Sequence, residues 1–250
     1  LPVIFNDYMN CLFGDPSTAK ELPLIDAAAA CGCEYYVIDA GWYAPGEWWD
    51  SVGEWKECRD RFPNGIKEVT DYIRKKGMVP GVWLELEVMG INCEKAKKVP
   101  DDWFFVRHGK RVYDRSRYQL DFRNPAVIEY VNEVIDRVVK EYGVGYIKMD
   151  YNIEPGIGTE IGAESVGQGL LEHEKAYLNW LDGVFARDPD LVIENCSSGG
   201  LRMDYALLSR YSIQSTSDQE DYRNFATIAA NSPAGVTPEQ AAIWSYPMRQ

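Results

Sequence analysis

Short apolar, β-branched runs recur along the chain. Each is followed by a stretch in which apolar residues return every three to four positions, the mark of strands and helices alternating as parallel βα units. The strand-like runs are PVIF (2–5), YYVID (35–39), VPGVWLEL (79–86), GYIKMD (145–150), LVIEN (191–195), SIQSTS (212–217) and PAGV (233–236), seven in all. Amphipathic segments lie between them at 17–31, 65–76, 124–141, 166–187, 201–209 and 221–231, and TPEQAAIWSY reads as a last helix with Thr237 as its N-cap. Pro125, directly after Asn124, gives the third helix a preorganised first turn. Between the third and fourth strands, WFFVRHGKRVYD reads as an inserted β-hairpin turning at His108, Gly109 and Lys110.

Eight such units closed into a ring occupy about 250 residues, and this chain has 250. The expected fold is therefore α/β, a TIM (β/α)8-type barrel that starts directly on a strand and is truncated after about seven βα units. With no internal repeat and no low-complexity linker, residues 1–250 read as one domain, a fragment of a longer multidomain chain. Unpaired strand edges in such a fragment predict either an eighth unit or assembly with further copies, a homo-oligomer. The competing architecture, a doubly wound nucleotide-binding sheet, lacks its fingerprint. FNDYMNCLFGDPS after the first strand has no GxGxxG, and no GxxxxGKS loop occurs.

Composition narrows the function classes. A chain that is 46% hydrophobic and 26% charged is not disordered. Its net charge of −13, without a basic tract, argues against nucleic acid and anionic membrane as partners. No apolar run approaches a membrane span and LPVIFNDYMN lacks a signal-peptide pattern, so the expectation is a soluble chain, with the cytoplasm favoured. Six cysteines without a CxxC pair and only two histidines point to no metal and no cofactor. Cys31 and Cys33, at the end of an apolar helix, read as buried thiols. Eight Trp and sixteen Tyr together with an acidic excess suit a sugar cleft, where carboxylates grip hydroxyls and rings stack on a pyranose.

In a parallel barrel the reacting groups stand at the carboxyl ends of the strands. Here those ends carry Asp39, then Trp83 and Glu85, then Lys148, Asp150 and Asn152, then Glu194, Asn195 and Cys196, then Ser217 and Asp218. Any one of these is explained by helix capping. Five in succession converge like charges on one mouth, an arrangement kept for function. Lys148 beside Asp150 keeps that carboxylate ionised and fit to be a nucleophile. Asp218, with Glu220 and Asp221 close by in sequence, is the leading candidate for a carboxyl that stays protonated as the general acid; Glu85 and Glu194 compete for the role. A hard cation held by Asp39, Glu85, Asp150 and Asp218 is disfavoured by Lys148 in their midst. Trp42, Trp48, Trp49 and Trp55 read either as cleft walls or as loop packing, and Met9 and Met89 as filler.

At these residues the sequence resembles glycoside hydrolase family 36, in the clan of retaining α-galactosidases. The resemblance runs through YYVIDAGWY, GEWKECRDRFPNGIKEVTDYIRKKGMVPGVWLELE, DRSRYQLDFRNPAVIEYVNEVIDRVVKEYGVGYIKMDYN, ENCSSGGLRMD and STSDQED. It implies that Asp150 in KMDYN is the nucleophile of a covalent glycosyl-enzyme intermediate and that Asp218 in TSDQED is the acid/base. It further implies a sugar subsite lined by Asp39, Trp83, Lys148, Asn152, Cys196 and Gly199, with Arg117 of SRYQLDF in the same pocket; Trp42 and Glu85 join this set from the strand ends. The implied substrate is a terminal α-galactosyl residue on an oligosaccharide or glycoconjugate. The alternatives are α-N-acetylgalactosaminides or a sugar-binding barrel without catalysis. Relatives usually carry two consecutive aspartates before Gly-Trp, where this chain has Asp39, Ala40, Gly41 and Trp42. The first-strand loop also lacks a tryptophan common in relatives, with Asp7 and Tyr8 as stand-ins, so discrimination for galactose is expected to be looser.

Overall fold

A computed structural model describes residues 2–245. Seven strands form one parallel sheet in chain order: β1 (Ile4–Asn6), β2 (Tyr35–Ile38), β3 (Val79–Leu84), β4 (Tyr146–Met149), β5 (Val192–Asn195), β6 (Ile213–Ser215) and β7 (Ala241–Ala242). The central strands read as nearly continuous apolar runs because both faces are covered, which is how parallel strands are built. Register sets the site: Trp83 on β3 and Glu194 on β5 both pair with Lys148 on β4.

Helices α1 (Thr18–Ala30), α2 (Ile66–Lys75), α3 (Pro125–Asp136), α4 (Val166–Arg187), α5 (Tyr205–Leu208) and α6 (Tyr222–Asn231) connect the strands. Their starts obey local chemistry. The Asn124 side chain accepts from the Ala126 N–H, Ser165 from Gln168, and Asp221 from Arg223. One apolar mass, including Ile38, Val82, Leu84, Ile147 and Ile193 from the sheet and Val131, Val134, Leu181 and Val184 from the helices, fixes the strand ends in space. The insertion after β3 folds as an antiparallel ribbon of Val88–Gly90, Arg117–Gln119 and Tyr113–Asp114, beside a hairpin pairing Val106–Arg107 with Lys110–Arg111. The hairpin turns at His108 and Gly109, both at positive φ, as a two-residue loop requires. Among the described residues, no helix is long and apolar enough to cross a membrane.

The alternating α/β architecture is as expected, and the sheet is a seven-stranded parallel one. Several details depart from the sequence reading. PAGV is not the seventh strand: Ser232–Ala234 winds a short helical turn, because Pro233 fits a first turn and has no N–H for a ladder. The seventh strand is Ala241–Ala242, reached through a turn at Thr237–Gln240, so no helix opens at Thr237; the rest of the expected helix, 246–250, lies outside the described residues. The expected helix 201–209 shrinks to α5, since Gly200 packs against the Thr216 carbonyl just after β6 and the extended Asp204 caps a helix that opens only at Tyr205. Cys31 is exposed and Cys33 half-buried, not core thiols, because α1 ends at Ala30 and both sit in the turn beyond it.

Candidate active site

At the carboxyl ends of the strands a cleft of about 370 Å³ is bordered by Asp39, Trp83, Lys148, Asp150, Asn152 and Asp218. Its remaining walls are Tyr8, Met9, Phe13, Trp48, Trp49, Ser198 and Glu220. The period-two placement of Lys148, Asp150 and Asn152 at the end of β4 delivers all three to this one space.

Asp150 is buried but open to the cleft, and its carboxylate is pinned from two sides. The Trp83 indole N–H donates to Oδ2 at 3.0 Å and the Tyr151 backbone N–H to Oδ1 at 2.8 Å. Ser198 approaches the same Oδ1 through its N–H at 3.4 Å, and its N–H and hydroxyl both donate to Asn152 Oδ1, at 3.0 and 2.6 Å. Ser198 reaches this position by adopting a φ of 42°, in the left-handed region that a residue with a Cβ occupies only at a cost.

Lys148 pairs with Asp39 at 2.9 Å, and the Asn6 amide donates to the same Asp39 oxygen at 2.6 Å. Burial opposes the ammonium charge, but Asp39, then Cys196, Glu194 and Asp150, outweigh it and hold the Lys148 pKa well above the usual lysine value. A cation is thus fixed between two carboxylates that face the cleft. Asp218 has the opposite bias: burial, together with the charges of Asp150, Asp39 and Glu220, pushes its carboxyl up to about 6 against the pull of Lys148. Of the acidic neighbours expected to raise it, Glu220 contributes. Asp221 instead caps α6 and pairs with Arg223 at 2.9 Å.

Glu85 and Glu194, the competing acids, do not line the cleft. Glu85 is wholly buried, accepting from the Arg117 guanidinium and, at 2.7 Å, from the Asn152 N–H. Glu194, paired with Lys148 across the ladder, accepts from the Tyr146 hydroxyl at 2.6 Å. Arg117 is also fully buried: its Nε donates to the Trp49 carbonyl at 2.8 Å and its guanidinium lies 3.7 Å from the centre of the Trp49 ring. The Arg117–Glu85 pair therefore supports the cleft from below, holding Trp49 on one side and the Asn152 backbone on the other. Trp42 is likewise a core residue, its indole N–H donating to the Trp83 carbonyl at 3.0 Å, and Trp55 packs beside it. Cys196 is buried next to Asp150, Lys148 and Asp218 without bordering the cleft. Gly199, at φ 82°, lets two loops meet: a Cβ there would stand 2.5 Å from the Asp218 nitrogen.

Sequence reasoning did not single out Phe13 or Ser198, and it took Met9 for filler although Met9 lines the cleft. Trp48 and Trp49 are cleft walls, Trp48 standing edge-on to Trp83 with ring centres 5.5 Å apart. Of the two expected stand-ins in the first loop, Tyr8 reaches the cleft, whereas Asp7 turns inward.

Asp7 and Glu21 form a buried carboxyl pair under this platform. Asp7 Oδ1 accepts from the Asp39 N–H at 2.7 Å and Glu21 Oε2 from the Tyr36 hydroxyl at 2.6 Å, while Asp7 Oδ2 and Glu21 Oε1 have no conventional donor. The two carboxyls are within hydrogen-bond reach of each other, so a single proton shared between them would satisfy both free oxygens. Burial, reinforced for Asp7 by Glu21 and Asp39, raises both pKa values, so the folded state holds a proton that the unfolded chain releases near the ordinary carboxylate range. Stability from this source is present below that range and is lost as pH rises through the folded values. Asp7→Asn keeps the acceptor for Asp39 and supplies permanent donors toward Glu21; its melting temperature should fall less than wild type's between pH 5 and pH 9. Parallel melting curves across that interval would exclude the shared proton.

Comparison with known proteins identifies the family of the chain. The family model described as Melibiase matches residues 1–240. The curated α-galactosidase Mel36A of Lactobacillus acidophilus is 28% identical over 206 residues, 81% of this chain and 28% of that protein. α-Galactosidase AgaA of Geobacillus stearothermophilus is 30% identical over 228 residues, 88% of this chain and 30% of that protein. A crystal structure of an AgaA variant in complex with raffinose superposes with a TM-score of 0.88 at 24% identity, covering 97% of this chain and 34% of that one. The chain thus spans under a third of the length of these curated relatives. With the model matching nearly the whole chain and the acidic strand ends meeting in one cleft, the chain belongs to the melibiase family.

Proposed function

We propose that this chain carries the catalytic centre of a retaining, exo-acting α-galactosidase, its seven-stranded sheet forming the open part of a (β/α)8 barrel. The observation that carries the proposal is the pairing of two unlike carboxyls in one cleft. Asp150 is pinned by N–H donors, whereas Asp218 has its pKa pushed up to about 6. A carboxylate held by N–H donors beside a second carboxyl that keeps its proton up to about pH 6 is what double displacement at an anomeric carbon needs.

In the first step Asp150 attacks the anomeric carbon while Asp218 gives its proton to the departing glycosidic oxygen. The ring oxygen shares the positive charge that develops, and a covalent galactosyl ester forms on Asp150. Asp218, now a carboxylate, removes a proton from water; the water oxygen bonds to the anomeric carbon and Asp150 leaves. Retention follows from two inversions. The Lys148–Asp39 pair offers a donor and an acceptor side by side for sugar hydroxyls, and Trp48, Trp49 and Trp83 supply flat walls for the apolar face of the ring. The similarity to AgaA, solved with raffinose, supports an α-galactosyl oligosaccharide as the substrate class.

A panel of p-nitrophenyl α- and β-glycosides tests the assignment on the intact protein. Release of nitrophenol from the α-galactoside, well above that from the α-glucoside and the β-galactoside, is the expected result. Silence across the panel with sugar still bound in calorimetry would replace the enzyme by a binding module.

A further inference from the structure

Two backbone N–H groups reach Asp150 Oδ1, one from each of two loops. Tyr151, in the loop after β4, donates at 2.8 Å, and Ser198, in the loop after β5, approaches at 3.4 Å. Arg202 belongs to the second loop and covers the first. Its guanidinium stands 4.5 Å from the centre of the Tyr151 ring, and its carbonyl accepts from the Asn195 amide at 2.7 Å. We propose that Arg202, anchored by Glu87, is a positioning residue for the nucleophile, fixing the two N–H groups that aim Asp150; the assignment rests on the reading of Asp150 as the nucleophile.

Tyr151 is the lever. Its hydroxyl donates to Gln119 Oε1 at 2.7 Å, its carbonyl accepts from the Ser197 hydroxyl at 2.6 Å, and the Arg202 guanidinium lies against its ring face. Releasing that face would loosen the peptide whose N–H holds Oδ1, while Trp83 kept its grip on Oδ2 at 3.0 Å. Asp150 would then turn about its remaining bond, and a shift of about 1 Å at a reacting atom can cost roughly 10²-fold in rate.

Arg202 is itself held from behind. Glu87, just beyond β3, accepts from its guanidinium at 2.8 Å, and the second Glu87 oxygen faces His173 Nε2 at 3.4 Å. His173 Nδ1 accepts from the Phe122 N–H at 3.0 Å, so the proton of the neutral ring sits on Nε2, turned toward Glu87. One turn along α4 from His173, the Tyr177 ring lies 5.2 Å from the same guanidinium. Arg202 Nε has no hydrogen-bond acceptor, so ring faces complete its surroundings. A buried ion pair adds little to folding stability compared with well-packed apolar side chains. This one ties the segments after β3, β4 and β5 together behind the nucleophile, which is a geometric task.

Arg202→Met keeps the length of the side chain and removes its charge. On p-nitrophenyl α-galactoside its kcat should fall roughly 10- to 100-fold, while the Kd for galactose in calorimetry stays within about three-fold of wild type. Arg202→Lys, which restores a cation over the ring, should recover most of that loss. Tyr151→Leu tests the route: it should lower kcat to a similar extent, and adding Arg202→Met to it should cost no more than about two-fold further. Should Arg202→Met fail to fold, the Arg202→Lys and Tyr151→Leu pair carries the same cycle. Full kcat in Arg202→Met, losses that multiply in the double variant, or a fall in galactose affinity matching the fall in kcat would each overturn the positioning role. Wild-type protein inactive on the α-galactoside would instead remove the catalytic reading, and this role with it.

Discussion

Asp150→Asn is expected to lower kcat on an α-galactoside by roughly 10⁴- to 10⁶-fold, the range in which removal of a nucleophile places an enzyme. Asparagine has nearly the same shape, and its oxygen can still accept from the Tyr151 N–H, but its NH2 group faces the Trp83 indole N–H, which then has no acceptor. Folding should survive this at a modest cost, because Lys148 keeps Asp39 as its partner and one orphaned donor costs about 1–3 kcal/mol. What is lost is a carboxylate able to bond to carbon. A cooperative thermal transition alongside absent turnover is the predicted pair of results. Asp150→Ala with added azide should regain turnover and release β-galactosyl azide, since the small anion attacks from the vacated face; a variant with full activity in plain buffer would end the nucleophile assignment.

The second large effect belongs to Asp218. A general acid works while protonated, and with its carboxyl pushed up to about 6 the active form is present below that pH and lost above it. The kcat/KM profile for raffinose should therefore decline as pH rises through about 6. Asp218→Asn should remove that alkaline limb and reduce the rate by roughly 10²- to 10⁴-fold. The loss should be far smaller for a dinitrophenyl galactoside, whose leaving group needs no proton. Steady-state kinetics from pH 4 to 9 on both substrates distinguishes the cases. An alkaline limb that persists in the variant assigns the titration to another group.

How far these effects could be read from the chain depends on the length scale of the interaction. β2 to β5 were readable because strands covered on both faces produce uninterrupted apolar runs, and the polar residues at their ends stand out. The last strand was not: Ala241–Ala242 has no β-branched residue, and its place is fixed by pairing with Gln214 and Ser215, a tertiary fact. That Asp150 and Asp218 would border one cleft was readable because both sit at strand ends, where local pattern and barrel geometry agree. The supporting residues were not so transparent. Arg117 and Glu85 look like cleft residues in one dimension, yet Trp49, 68 positions from Arg117, covers the guanidinium and takes both off the surface. Trp42 follows a strand end as a wall residue would, but its indole finds the Trp83 carbonyl in the core. Ser198 carried no signal of its own; its value comes from a left-handed backbone that turns its N–H toward Asp150 and Asn152.

Trapping the intermediate tests the central claim most directly. The intact protein would be incubated with a 2-deoxy-2-fluoro-α-galactosyl donor bearing an activated leaving group, digested, and its modified peptide sequenced by mass spectrometry. One fluorogalactosyl group esterified to Asp150, and none on Asp150→Asn, is the predicted result. A label on Asp218, Glu85 or any other carboxyl, or turnover of the natural substrate with inversion of the anomeric centre, would contradict it.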